Sequence, residues 1–554
     1  MLLDVCSLLL IPYLLGHAVA SAGANHAPAS VKIRNGTVVG VSDDSSRVQR
    51  FLGIPYAQAP VGDLRLQQAR PLNTSFGTLH ANSFSPACYG PEKDSNPNPS
   101  EDCLTLNIWR PFGQYCGGEL KPVLVWFYGG GLMSGYTEDP TFEGTNMVRI
   151  SSEINKEIVL VSVNYRLGPL GFLNGQQMAD LGLLNLGMLD QRLALHWVQE
   201  NIAAFGGDPT KVTLFGESAG AVSIYSHMMA YGGRDDKLFR AGILQSGGAF
   251  PLTLANTTAF QETFDSLITD TSCVSLKDAS AAEQLDCIRQ LPVETFLSSV
   301  GSSTGQSIDG SFTQTSVQFA FPEGKYVKVA TIVGANTDEG TTSGPTGINT
   351  EDQLHGPLAD GYFRPKLLPN STVSRLLSLY PDDPRHGCPY NTGSTPLTPG
   401  KLDKKACSIF GDIVQIAPAR LIAESLARNN HKGHGHKAPV YRYRFNHLPH
   451  DVDASNITRG IGTGLEQRYI FSNLIPDFPW DQALAYEMSS AWISFAHDLD
   501  PNPGGESALP FWPEYGRDGK SMVFNGYGSE IEEDTYRRES IDYIIKSVIP
   551  YGAL

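Results

Sequence analysis

The chain has 554 residues, 41 basic against 57 acidic side chains for a net charge of −16, with 41% hydrophobic and 18% charged residues. That composition supports a large buried core and excludes a disordered chain, a collagen and a coiled coil. The acidic balance repels phosphate backbones and anionic lipid, so nucleic acid is not an expected partner.

In chain order, the first feature is an apolar stretch, Leu8 to Leu15, followed by the small residues Ala18-Val19-Ala20-Ser21-Ala22. Residues 1–22 read as a secretory signal, although Asp4 stands where such signals carry Lys or Arg. No later stretch reads as a membrane span, and the C-terminal Tyr551-Gly-Ala-Leu554 carries no retention or lipid-anchor signal. Five acceptor triplets, beginning at Asn35, Asn73, Asn256, Asn370 and Asn456, suit passage through the secretory route. Beyond Cys6 in the signal, the cysteines fall as the near neighbours Cys88 and Cys103, Cys273 and Cys287, Cys388 and Cys407, with Cys116 left over. Local pairing is the simplest connectivity, but spacing alone does not fix it. No CxxC spacing points to a metal, and no cofactor is expected.

Short apolar runs alternate with helical patterns. Pro122 to Phe127, Glu157 to Val163 and Lys211 to Phe215 read as strands, with a helix over Leu189 to Ile202. Further strands are expected at Ala241 to Gln245, Val329 to Val333 and Val440 to Phe445. Buried strands separated by helices predict an α/β fold with a mainly parallel sheet covered on both faces. The Gly/Pro/Ser/Asn-rich stretches near 90–100, 340–365 and 381–400 read as long loops or lids.

Two motifs carry chemistry. Gly216-Glu217-Ser218-Ala219-Gly220 fits G-x-S-x-G, a sharp strand-to-helix turn that lifts a serine clear of the backbone. The pattern recurs at Gly301-Ser-Ser-Thr-Gly305, but only Ser218 follows a strand and precedes a helix-compatible run, Ala221 to Tyr231. Tyr128-Gly129-Gly130-Gly131 comes directly after a strand, where glycines let backbone N–H groups approach a developing oxyanion.

With these motifs on the page, the chain resembles the type-B carboxylesterase/lipase family of fungal lipases, carboxylesterases and cholinesterases. The resemblance rests also on Phe51-Leu-Gly-Ile-Pro-Tyr-Ala57 with Pro60-Val-Gly-Asp-Leu-Arg65, Glu101-Asp-Cys-Leu-Thr-Leu-Asn107, Asn164-Tyr-Arg-Leu167 and Asn201-Ile-Ala-Ala-Phe-Gly-Gly-Asp-Pro209. It spans roughly residues 30–545 and implies one α/β-hydrolase domain with a Ser-Glu-His triad in chain order. It also implies an oxyanion hole at the N–H groups of Gly130, Gly131 and Ala219, and disulfides Cys88/Cys103 and Cys273/Cys287. Cys388/Cys407 is a further expected pair.

In Gly334-Ala-Asn-Thr-Asp-Glu-Gly340 either Asp338 or Glu339 is a carboxylate placed to orient an imidazole; the resemblance selects Glu339. The base departs from the pattern. The family places its histidine three residues before an acid and ahead of an aromatic-Val/Ile-Phe strip. Aligning Glu466 and Tyr469-Ile-Phe471 puts Thr463 there, and threonine takes no proton near pH 7.

Among the histidines after Glu339, only His447 and His450 lie in the loop after the strand expected to deliver the base, which makes them the candidate replacements. His431, His434 and His436 form a tight group, read as a wet surface turn ahead of a metal cluster. His497 falls near a helix end. Two function classes follow. One is a secreted enzyme acting on a small-molecule ester or related metabolite, by hydrolysis or by cyclisation, elimination or rearrangement. The other is a catalytically dead binding scaffold like the cholinesterase-like adhesion proteins.

Overall fold

The computed structural model describes residues 29–550 except 92–95, 114–117, 249–252, 255–257, 301–303, 360–367, 398, 431–437, 451–458, 475–477, 506 and 517. The signal expectation for 1–22, Cys116, Asn256, Asn456, Ser303, His431, His434 and His436 therefore lie outside the described residues.

Eleven strands form one sheet. In chain order they are β1 (Val41–Asp43), β2 (Val48–Pro55), β3 (Thr105–Pro111), β4 (Lys121–Phe127), β5 (Val159–Val163), β6 (Gly207–Glu217), β7 (Ala241–Gln245), β8 (Ala330–Asn336), β9 (Val440–Phe445), β10 (Lys520–Phe524) and β11 (Glu530–Glu533). Across the sheet the order is β11-β10-β9-β8-β7-β6-β4-β5-β3-β2-β1. Strands β4 to β10 run parallel to one another, while β1, β2, β3 and β11 pair antiparallel at the two edges.

All residues of β5, β7 and β8 are buried, as expected of parallel strands covered on both faces. Alternation along β4 shows the two layers. Trp126 packs on Phe142, Phe215 and Phe471, and the next residue, Phe127, turns to Tyr165 and His227. His227 belongs to helix α2 (Ala219–Gly233), which follows α1 (Leu186–Asn201) in the chain. A later helix, α3 (Pro479–Asp498), sets Trp492 against Tyr443 of β9 and bonds Gln245 of β7 through the indole N–H at 3.1 Å.

Cys88–Cys103 and Cys273–Cys287 are disulfide-bonded. The pairing expected for Cys388 and Cys407 is not formed; both are buried thiols. Cys388 lies close to the Asp338 carboxylate, whereas Cys407 lies against the backbone at Gly344.

The stretch at 340–365, expected as loop, holds helices over Gly340–Ser343 and Glu351–Ala359, the second with Pro357 inside it. One helical stretch among the described residues, Asp403–Asn429, is long and apolar enough to cross a membrane, contrary to the sequence reading; 94% of its most apolar window is buried inside the protein, which marks a core helix.

Candidate active site

The site is built at the carboxyl edge of the parallel strands, where open α/β sheets place their ligands. Ser218 directly follows β6 and caps α2 with φ 52° and ψ −118°, a left-handed φ that costs a non-glycine residue about 1–3 kcal/mol. The glycines on either side permit the turn. A Cβ on Gly220 would lie 2.0 Å from the carbonyl oxygen of Phe127, and one on Gly216 would lie 2.7 Å from the same oxygen. The helix start is thus pressed onto the end of β4. Ser218 is half-buried, and its Oγ has no hydrogen-bond partner among the described residues.

The glycine turn after β4 lies beside this serine. A Cβ on Gly129 would stand 3.2 Å from Ser218 Cβ and 2.6 Å from Glu217 Oε2. Gly130 and Gly131 are exposed with φ 95° and 67°. The turn is closed by the N–H groups of Met133 and Ser134, both donating to the Gly130 carbonyl at 3.0 Å. The N–H groups of Gly130, Gly131 and Ala219 donate to no protein acceptor among the described residues. They form the kind of free donor set that an oxyanion recruits.

Geometry separates the two candidate acids. Asp338 accepts the N–H groups of Tyr390 at 2.7 Å and Ile461 at 2.9 Å, fastening the 460–463 turn. Glu339 points into the site. Its Oε1 accepts Ser246 Oγ–H and the Asn336 N–H, each at 2.6 Å, and its Oε2 accepts the Thr463 hydroxyl at 2.6 Å. Thr463 is thus the side chain that addresses Glu339 Oε2.

Ser246 was not foreseen. It directly follows β7, with φ 51° and its N–H on the Gly334 carbonyl at 2.9 Å, and its place after a buried parallel strand is the signal that would have found it.

Two more carboxyl groups complete the site. Glu466 accepts the Asn336 amide at 2.7 Å, while its Oε1 has no hydrogen-bond partner among the described residues. Glu217 reaches toward the Thr463-Gly464 turn: a Cβ on Gly464 would lie 3.6 Å from its Oε1. Burial raises all three carboxyls above the ordinary range, and their mutual repulsion raises Glu217 and Glu466 further, Glu466 to about 7. No Lys, Arg or His forms an ion pair with any of the three among the described residues.

The histidines expected as replacement bases turn elsewhere. His447 is buried; its Nε2 meets Asp481, and its Nδ1 accepts the Gly526 N–H at 3.2 Å. Nδ1 being an acceptor, the proton sits on Nε2. His450 bonds Asp481 through Nδ1 at 3.0 Å and stacks on Phe478. The three ligand atoms lie within 4.8 Å of one another, but a metal on His447 Nε2 requires a hydrogen on Nδ1, which would point at the Gly526 N–H. Metal-bound histidines instead present their second nitrogen to an acceptor, so the cluster does not fit a metal. His497 pairs with its neighbour Asp498 on the surface. Of the expected glycosylation positions, Asn73 and Asn370 are exposed, whereas Asn35 spends its amide on the carbonyls of Leu72 and Thr74.

The strand order and a serine lifted at the carboxyl edge are those of an α/β-hydrolase. The family model described as the carboxylesterase family matches residues 27–543. Secreted lipase 1 of Botryotinia fuckeliana (strain B05.10) is 32% identical over 92% of this chain and 91% of its own length. Lipase 1 of Geotrichum candidum is 32% identical over 95% of this chain and 96% of its own. The crystal structure of Aspergillus niger EstA superposes with a TM-score of 0.81 at 26% identity, covering 95% of this chain and 99% of that one. The chain belongs to the carboxylesterase family.

Proposed function

We propose that this protein is a secreted enzyme of one domain, residues 30–545, that takes the acyl group of a small carboxylic ester onto Ser218. The N–H groups of Gly130, Gly131 and Ala219 receive the oxyanion, Glu339 is the acid of the constellation, and Thr463 stands in the base position. The observation that carries this reading is the serine on its strained elbow, with the free N–H groups of the glycine turn beside it. The names of the relatives, a secreted lipase and a lipase, support an ester substrate. A signal over residues 1–22 and two disulfides suit the secretory route.

The bond between Thr463 and Glu339 favours a second reading, in which the same serine and oxyanion site promote cyclisation, elimination or rearrangement of a small metabolite. Both readings require a reactive Ser218. A fluorophosphonate at neutral pH is expected to form one adduct, mapped by peptide mass spectrometry to Ser218 and absent in Ser218→Ala. A folded parent protein that gives no adduct moves the assignment to a binding scaffold.

A further inference from the structure

The described residues supply Ser218 with a strained, half-buried hydroxyl, an oxyanion site and three buried acids, but no proton acceptor within hydrogen-bond reach of that hydroxyl. Glu339 already accepts three donors, and each hydrogen bond to a carboxylate lowers its basicity. Burial and mutual repulsion raise Glu217 and Glu466, Glu466 to about 7, and neither carboxyl is hydrogen-bonded to Ser218 among the described residues. His447 and His450 are committed to Asp481. Thr463 itself offers a hydroxyl already donated to Glu339.

We propose that the substrate brings the missing base: an ester whose acyl half carries a weakly basic aromatic nitrogen, of the pyridine or imidazole class, that binds beside Thr463 and Glu339 and accepts the Ser218 proton. The proposal rests on the ester-acylation reading above and names its substrate class.

The step balances without a further reagent. The nitrogen lone pair takes the Ser218 Oγ proton as Oγ bonds the ester carbonyl carbon, and the carbonyl π pair moves to the oxygen facing Gly130, Gly131 and Ala219. On collapse that pair re-forms the carbonyl, the carbon–alkoxy bond breaks, and the alkoxide leaves with the proton from the ring nitrogen. Water repeats the sequence on the acyl-enzyme.

The acidic lining has a part in this. A ring N–H⁺ formed beside Glu339 is stabilised by the carboxylate, the service a triad acid gives an imidazolium. The nitrogen must lie on the acyl half, because a base carried by the alcohol departs after acylation and leaves the acyl-enzyme without one. A weak base is required, since a simple alkylamine is already protonated near pH 7 and accepts nothing.

The test compares three ethyl esters of matched shape on the full chain: 3-(pyridin-3-yl)propanoate, its N-methylpyridinium counterpart and 3-phenylpropanoate, with rates corrected for Ser218→Ala. The pyridyl ester is expected to exceed both others by about tenfold or more in kcat/KM, the range that a positioned base supplies. In Thr463→His, where the protein provides the imidazole, the three should converge.

A pyridinium ester turned over as fast as the pyridyl ester means recognition of positive charge without proton acceptance, and overturns the proposal. So does a phenyl ester as fast as the pyridyl one, or no turnover of the pyridyl ester. If Ser218 still takes the fluorophosphonate in those cases, only this inference falls; if it does not, the ester-acylation reading has failed first.

Discussion

Thr463 donates its hydroxyl to Glu339 at 2.6 Å; on the function proposed above, Glu339 is the acid of the constellation and Thr463 stands where its histidine would be. In serine hydrolases of the triad type, loss of the histidine costs on the order of 10⁶ in turnover and leaves about 10³ to 10⁴ over water from oxyanion stabilisation and binding. Each decade is about 1.4 kcal/mol, so the substitution removes roughly 8 kcal/mol of transition-state stabilisation unless another base enters.

The buried acids give a pH signature. Burial and the facing Glu339 hold Glu466 up to about 7, against an ordinary 4.5. A carboxyl raised on folding lends stability that is complete below its unfolded value and is lost as pH rises through the folded one. Stability measured by urea unfolding should therefore fall between pH 5 and pH 8. Glu217 and Glu339 contribute in the same direction, since burial raises both. Glu466→Gln should recover on the order of 1–3 kcal/mol at pH 8 and little at pH 5. An unchanged pH slope in the variant would show that Glu466 is ionised without penalty.

The cysteines give a second expectation. Non-reducing peptide mapping should find Cys88 joined to Cys103 and Cys273 to Cys287, with Cys388 and Cys407 recovered as thiols that alkylate only after unfolding. Removing either bridge, whose ends are 15 and 14 positions apart in the chain, should cost about 3 kcal/mol. A native Cys388–Cys407 bond would contradict the thiol's contact with Asp338.

His447 and His450 distinguish a structural role from a catalytic one. Burial pulls the His447 imidazole below its usual range, and Asp481 ties both rings to the start of α3. His447→Phe should lower stability by about 1–3 kcal/mol through the lost hydrogen bond to buried Asp481, with Ser218 labelled by a phosphonate at the parent rate. A large loss of labelling in a folded variant would return His447 to the site.

Much of this was legible in the chain. Strands Ala241–Gln245 and Val440–Phe445 occur at the bounds read from the sequence, and β4, β5, β6 and β8 shift by a few residues, because a continuous apolar run between turn residues leaves little choice in a buried parallel strand. The antiparallel edges were not read as strands. Glu530–Glu533 has no fully buried residue, so it shows no hydrophobic run. The helix Glu351–Ala359 was hidden by Gly356 and Pro357, residues that ordinarily interrupt helices. At the site, Ser218, Glu339 and Thr463 carried local motifs. Ser246, Asn336 and Glu217 did not, since their roles arise only when β6, β7 and β8 bring their carboxyl ends together.

The most direct measurement is single-turnover acylation of Ser218 by a short-chain aryl ester, followed by intact mass in the parent and in Thr463→His. An imidazole at 463 would stand between Glu339 and Ser218 with a hydrogen bond open to each, so acylation in the variant should be faster by about 10² or more. Equal acylation rates in the two folded proteins would contradict the assignment of Thr463 to the base position.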